Sequence, residues 1–173
     1  MVTPAGERYS LWLMPTGEVC DRLSGIIREL SATYGAPEFP PHVTLLGSCT
    51  GSRWEVVRKS AEVAAAIRHF GIRLGEIDFL DEYFRCLFVH AALTEPLRKA
   101  HQTAVQAFER KRESDFMPHL SLLYGELSGT VKDLLTIHLG KRVDLEFKVR
   151  KLHLFRTQGE PSKWRRVASF GLK

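Results

Sequence analysis

Two short stretches of this chain set an imidazole two positions ahead of a hydroxyl: Pro41-His42-Val43-Thr44-Leu45-Leu46-Gly47 and Pro118-His119-Leu120-Ser121-Leu122-Leu123-Tyr124-Gly125. Both read Pro-His-apolar-Thr/Ser-Leu-Leu. On an extended strand, residues i and i+2 share a face. His42 would then stand with Thr44 and His119 with Ser121, while Val43, Leu45, Leu120 and Leu122 turn the other way into a core. Imidazole is the side chain that gains and loses a proton near neutrality. Two such pairs are what opening a cyclic phosphodiester requires. One imidazole takes a proton from the attacking water and the other gives one to the departing ribose oxygen. The hydroxyls hold the charge on the non-bridging oxygens. The scheme calls for no metal and no cofactor. A lone His-x-Thr carries little weight, because most histidines are satisfied in cores or at surfaces. The second copy, with the same proline before and the same leucines after, makes the pattern informative. Its near-symmetry leaves open which imidazole is base and which is acid; His119 as base and His42 as acid is the working order.

These side chains need strands to present them and helices to cover the strands' other face. Alternation over residues 8–14 predicts a strand ending at Pro15. Val19, Leu23, Ile26, Ile27 and Leu30 recur at helical spacing over 17–34, and Gly35 stops the helix. Pro37, Pro40 and Pro41 force an extended approach to a strand over 42–47. A helix over 54–70, strands over 72–80 and 84–93, a helix over 95–111, a strand over 119–125 and a helix over 131–139 follow. Strands over 143–149, 151–157 and 167–172 finish the chain. Each half contains a Pro-His strand ending in Gly, then a polar loop and a helix, and the two histidines lie nearly half the chain apart. The expectation is an α+β fold, bilobal, in which two antiparallel β-sheets related by a pseudo-two-fold axis face a central cleft and helices cover the outer faces. With no Gly-, Ser- or Pro-rich linker, residues 1–173 read as a single compact domain of two lobes.

The totals bound the rest. A 173-residue chain with 44% hydrophobic and 26% charged residues suits a globular protein. No apolar run nears the ~18 residues of a membrane span, and residues 1–8 lack the apolar core of a secretory signal. A cytoplasmic monomer with no membrane partner is expected. The net charge of +5 suits an anionic ligand. Cys20, Cys49 and Cys86 have no metal spacing and read as free thiols, Cys20 the most exposed. His69 ends a helix, His101 and His138 fall within helical patterns, and His90 and His153 lie in strands without a Thr or Ser two positions on; all five read as structural. Lys163-Trp164-Arg165-Arg166 reads as a solvated basic turn able to steer an anion.

The duplicated motif resembles the two-histidine phosphoesterases. Within them, Tyr9-Ser10-Leu11-Trp12-Leu13-Met14-Pro15 and the two His blocks are similar to the cyclic phosphodiesterases of plant and yeast type, over nearly the whole chain. The resemblance implies a bilobal fold with a water-filled cleft. It implies hydrolysis of ADP-ribose 1'',2''-cyclic phosphate, a by-product of tRNA splicing, to ADP-ribose 1''-phosphate, and of nucleoside 2',3'-cyclic phosphates to 2'-phosphates. It also implies that His42 and His119 are the catalytic pair, that Thr44 and Ser121 bind phosphate, and that Trp12, Phe84 and Tyr124 line the cleft. Trp12 would stack on a base or cover the ribose. Plant members carry more cysteines, some in disulfides; with three here, a redox-gated loop is not expected. Two other readings keep their place: an enzyme acting on RNA ends with 2',3'-cyclic or 2',5'-linked phosphates, and a nucleotide-binding module without turnover.

Overall fold

A computed structural model describes residues 7–111 and 115–173. The part of the N-terminal stretch read for a leader, residues 1–6, lies outside the described residues. The order is β1 (Arg8–Leu13), α1 (Gly17–Tyr34), β2 (Val43–Thr50), α2 (Arg53–Ala66), β3 (Phe70–Asp78), a 3-10 turn (Tyr83–Arg85), β4 (Leu87–Ala91), α3 (Glu95–Ala107), β5 (His119–Leu123), α4 (Gly129–His138), β6 (Arg142–Val149), β7 (Lys151–Arg156), a second 3-10 turn (Pro161–Lys163) and β8 (Arg165–Gly171).

Local chemistry sets the helix ends. Gly35 takes the left-handed conformation (φ 61°), and the Ala36 amide reaches back to the Ser31 carbonyl at 2.9 Å, closing α1. Ser52 caps α2 by accepting from the Glu55 amide, and Ser128 caps α4 by accepting from the Val131 amide. The helix expected over 54–70 stops at Ala66, and Phe70 opens β3 instead. The strand expected from Phe84 begins only at Leu87, because residues 83–85 form the 3-10 turn. The apolar stripes bury as their spacing demands: Leu23, Ile27 and Leu30 on α1, and Leu97, Ala100, Ala104 and Val105 on α3.

The strands run β6-β3-β4-β5-β2-β1-β7-β8, with every neighbouring pair antiparallel. The two sheets expected are thus continuous, joined at the middle by one register pair, Val43 with Leu120. Pro41 and Pro118 stand just before the two central strands and lack the N–H a longer ladder would need. The halves therefore part immediately beyond that pair. The order β1-α1-β2-α2 is repeated as β4-α3-β5-α4, and each central strand is covered by the other half's helix, α1 against β5 and α3 against β2. No helix among the described residues is long and apolar enough to cross a membrane.

Candidate active site

Val43 and Leu120 are fully buried toward the core, so by strand alternation their neighbours face the opposite side. In antiparallel order about that pair, His42 lies on the side of Ser121 and Thr44 on the side of His119. All four border one cavity of about 600 Å³, together with Trp12, Phe84 and Tyr124. The seven residues singled out from sequence converge on one cleft. Among the described residues, no cluster of His, Cys, Asp and Glu could hold a metal ion.

The two imidazoles are held alike. His42 Nδ1 lies 2.7 Å from the Pro40 carbonyl, and His119 Nδ1 lies 2.9 Å from the Met117 carbonyl. A carbonyl only accepts, so each Nδ1 carries the proton and donates it. That fixes the tautomer and leaves each Nε2 without a hydrogen-bond partner among the described residues. In both cases the acceptor is two residues back across a proline, which holds that carbonyl in place.

Their surroundings differ. His42 is 6% exposed. Its ring stacks on Trp12, with centroids 3.5 Å apart and planes 9° apart. Burial, reinforced by the nearby charge of His119 and only partly offset by the Pro40 carbonyl, pushes its pKa down to about 4. His119 is only half-buried and meets Phe88 edge-on at 5.1 Å. Burial lowers its pKa as well, the Met117 carbonyl raises it, and Arg85 and His90 lower it further, with Glu82 opposing them.

The hydroxyls differ too. Thr44 Oγ1 has no protein partner among the described residues. Ser121 Oγ donates to the Phe84 carbonyl at 2.9 Å, so it must turn from that acceptor before it can donate to a phosphate. Tyr124 is 3% exposed and stacks on Phe39. Burial raises its pKa, the Ser121 hydroxyl beside it lowers it, and Tyr83 raises it.

Trp12 corrects one expectation. One face of its indole covers His42 and the other covers Phe155, at 3.8 Å, and the residue is 1% exposed. Neither face is open to a base, so Trp12 orients His42 rather than stacking on substrate. Phe84 is 51% exposed on its 3-10 turn. That turn is tied down by the Gly125 amide to the Tyr83 carbonyl (3.0 Å) and by Lys132, fully buried, which donates to the Leu80 carbonyl and pairs with Asp81.

Trp164 is the wall residue that sequence reasoning missed. Its neighbours Lys163, Arg165 and Arg166 are exposed as a basic turn should be, but its own ring turns in to line the cleft. It lies 5.9 Å from Phe84 and 6.0 Å from Tyr124, and its Nε1 donates to the Gly159 carbonyl. A tryptophan amid exposed cations was the available signal. The bland readings of His101 and His153 fit their places. His101 bonds the Leu45 carbonyl and stacks on Phe116; His153, the register partner of Trp12 on β7, bonds Ser169, and burial with the nearby Arg166 and Lys151 lowers its pKa to about 4. Cys49 and Cys86 are buried and Cys20 is partly so, and none of the three forms a disulfide among the described residues.

Residues 18–161 match the 2'-5' RNA ligase superfamily. The chain is 26% identical over 156 residues to the cyclic phosphodiesterase of Arabidopsis thaliana, covering 88% of this chain and 86% of that protein. Similar solved structures include TT0787 of Thermus thermophilus (17% identity, TM-score 0.66, 95% of this chain and 97% of that one). Another is E. coli LigT complexed with 3'-AMP (14% identity, TM-score 0.63, 98% of this chain and 99% of that one). At such identities these structures establish the fold alone.

Proposed function

The chain belongs to the 2'-5' RNA ligase superfamily, and from that footing we propose that it is a metal-independent cyclic phosphodiesterase. Its substrates in this reading are ADP-ribose 1'',2''-cyclic phosphate, opened to ADP-ribose 1''-phosphate, and nucleoside 2',3'-cyclic phosphates, opened to 2'-phosphates. The observation that carries the reading is the matched pair of imidazoles, each locked through Nδ1 to the carbonyl two residues back, each with Nε2 unpartnered among the described residues, and both at one cavity. A nucleotide-binding module without turnover has no use for two such groups. The cavity's size falls within the range of small-molecule sites.

Depth of burial supports the reverse of the working order. His42, held near 4, is neutral over the working range and suits the base. His119 is lowered too, by burial and by Arg85 and His90 against the Met117 carbonyl and Glu82, but it is the less buried ring, keeps its proton more readily than His42 and suits the acid. Water gives a proton to His42 Nε2 as its oxygen bonds to phosphorus. The bond from phosphorus to one ribose oxygen breaks, and that oxygen takes the proton from His119 Nε2. The product is a phosphomonoester, and exchange with solvent returns each imidazole to its starting state. Thr44 donates to a non-bridging oxygen, and Ser121 joins it after leaving the Phe84 carbonyl.

Base neutral and acid charged together place the maximum of kcat/KM between about 4, for His42, and the ordinary 6.5 below which His119 is held. The rate falls on the alkaline side as His119 loses its proton. The direct test incubates the protein with ADP-ribose 1'',2''-cyclic phosphate and with 2',3'-cyclic nucleotides in excess chelator and identifies products by phosphorus NMR. Phosphomonoester formation in chelator is expected. Absence of turnover, or turnover only after zinc is added, overturns the reading.

A further inference from the structure

The cleft has two unlike ends. Toward Phe84, Tyr124 and Trp164 it is aromatic. Toward the start of β1 it is polar, lined by Arg8, Ser10, Ser48, Thr157 and Gln158. Among the described residues, Arg8 is the one that lines the cleft with a fixed charge, and no carboxylate pairs with it. The carboxylate next to it in sequence, Glu7, is engaged by Arg156 at 3.0 Å and by the Tyr9 hydroxyl. The Thr157 amide donates to the Arg8 carbonyl at 2.8 Å, which fixes the two strand ends together. Ser10 Oγ and Thr157 Oγ1 lie 3.2 Å apart and share one hydrogen bond. Two hydroxyls have two protons, so one remains to be donated to a ligand. A guanidinium with no carboxylate partner among the described residues, lining the same cleft as a spare hydroxyl proton and the Gln158 side-chain amide, offers a donor set for a phosphate.

The position of this set relates it to the imidazoles. Arg8 lies four residues before Trp12 on the same strand, about 13 Å at ~3.3 Å per residue, and Trp12 carries His42 on its face. An arginine side chain reaching along that face covers much of the span and brings an anion to within one sugar of the cyclic phosphate. A ribose that bears a cyclic phosphate has its base on one flank and its C5 oxygen on the other. With the base toward the aromatic end, the C5 oxygen points to Arg8.

Resting on the reading above, we propose that the cleft contains a second phosphate site, built on Arg8, Ser10 and Thr157, for a phosphate on the C5 oxygen of the ribose being processed. The preferred substrate is then a ribose cyclic phosphate already phosphorylated at C5, whether in a diphosphate-linked nucleotide or at an RNA end, rather than the bare nucleoside cyclic phosphate.

The test compares kcat/KM for adenosine 2',3'-cyclic phosphate, its 5'-phosphorylated counterpart and a dinucleotide with a 2',3'-cyclic end, each in wild type, Arg8→Gln and Arg8→Lys. The readout is the ratio between substrates within one protein. Wild type should favour the 5'-phosphate by roughly 10- to 100-fold, as a charge-assisted contact would. The ratio should fall to within about threefold in Arg8→Gln and recover in part in Arg8→Lys, and rising salt should shrink it in wild type. A gain confined to the monoester assigns the site to free nucleotide derivatives; an equal gain with the dinucleotide assigns it to RNA ends. Equal turnover of all three substrates by wild type, or a ratio that survives Arg8→Gln, overturns this inference and leaves the parent reading standing. Turnover of none overturns both. Arg8 is exposed, so a melting curve matching wild type is expected and separates a lost site from a lost fold.

Discussion

The two halves of the cleft carry the same motif in different surroundings. Trp12 sits across from Thr44, and Phe88 sits across from Ser121, at matching positions of β1 and β4. The indole lies flat on His42, while the phenyl meets His119 by its edge. His42 is buried beside a hydroxyl that no other described residue engages; His119 is half-buried, among charged neighbours, beside a hydroxyl bonded to a backbone carbonyl. Duplication fixes where the imidazoles stand. Their neighbours decide what each can do, since burial and nearby charges set a histidine's protonation at a given pH.

The sharpest way to break this comparison is to remove each ring and vary the leaving group. His42→Ala and His119→Ala should each lose roughly 10²- to 10⁴-fold on a ribose cyclic phosphate. On a p-nitrophenyl phosphodiester, whose leaving group needs no proton, His119→Ala should recover most of its loss and His42→Ala should not. The opposite recovery would restore the working order drawn from sequence, and recovery in neither variant would argue that both rings act on the phosphate rather than on protons. The hydroxyls come next. Thr44→Val should cost about 10²- to 10³-fold in kcat, as loss of a fixed transition-state donor does. Ser121→Ala should cost about tenfold or less, because its donation to phosphate is offset by the bond it gives up to Phe84. Equal losses would mean that Ser121 leaves Phe84 at no cost.

Much of this site was legible in the sequence because strand geometry is local. A period of two places His42 with Thr44 and His119 with Ser121 on any strand, and the prolines mark where those strands begin. The tautomer lock was not legible, since it depends on carbonyls whose direction only the folded chain fixes. Trp12 was read as a cleft wall, which it is, but that both its faces are taken depends on Phe155, far along the chain, and no spacing reports that. Phe84 was assigned to a strand on its apolar neighbours. Contacts from Ser121, Gly125 and Lys132 fold its segment into a turn instead, so tertiary bonding overrode local propensity. Trp164 was hidden by its basic neighbours, because charge pattern speaks for a segment while its side chains face different ways. The continuity of the sheet rests on the single pair between Val43 and Leu120, too little to leave a pattern.

Burial asymmetry also has a cost in stability, and its sign can be worked out. His42 is held near 4 in the folded chain, below its ordinary 6.5. Between those values the unfolded chain binds a proton that the folded one refuses, so stability rises with pH through that window and is complete above it. The full contribution is about 3 kcal/mol at ~1.4 kcal/mol per pH unit, and it is lost as pH falls from 6.5 toward 4. His153, also near 4, acts in the same direction. Urea unfolding at pH 7 and pH 4.5 should show the loss, and His42→Asn should lose less than wild type over that interval. An unchanged pH dependence in His42→Asn would show that the ring titrates near its ordinary value.

The smallest effect separates the two aromatic backings. Phe88→Leu keeps an apolar group under the edge of His119 and should cost about 1 to 2 kcal/mol in stability, with the alkaline limb of kcat/KM unmoved. Trp12→Leu removes a surface that covers one whole face of His42. Water then reaches that ring, and its pKa should climb from about 4 toward 6.5, carrying the acidic limb of kcat/KM upward. The wild-type profile should then narrow from the acid side in Trp12→Leu only. Imidazole titration by NMR in the two variants measures this without turnover. If His42 moves no more in Trp12→Leu than His119 moves in Phe88→Leu, the flat stack is packing alone and the two half-sites are alike after all.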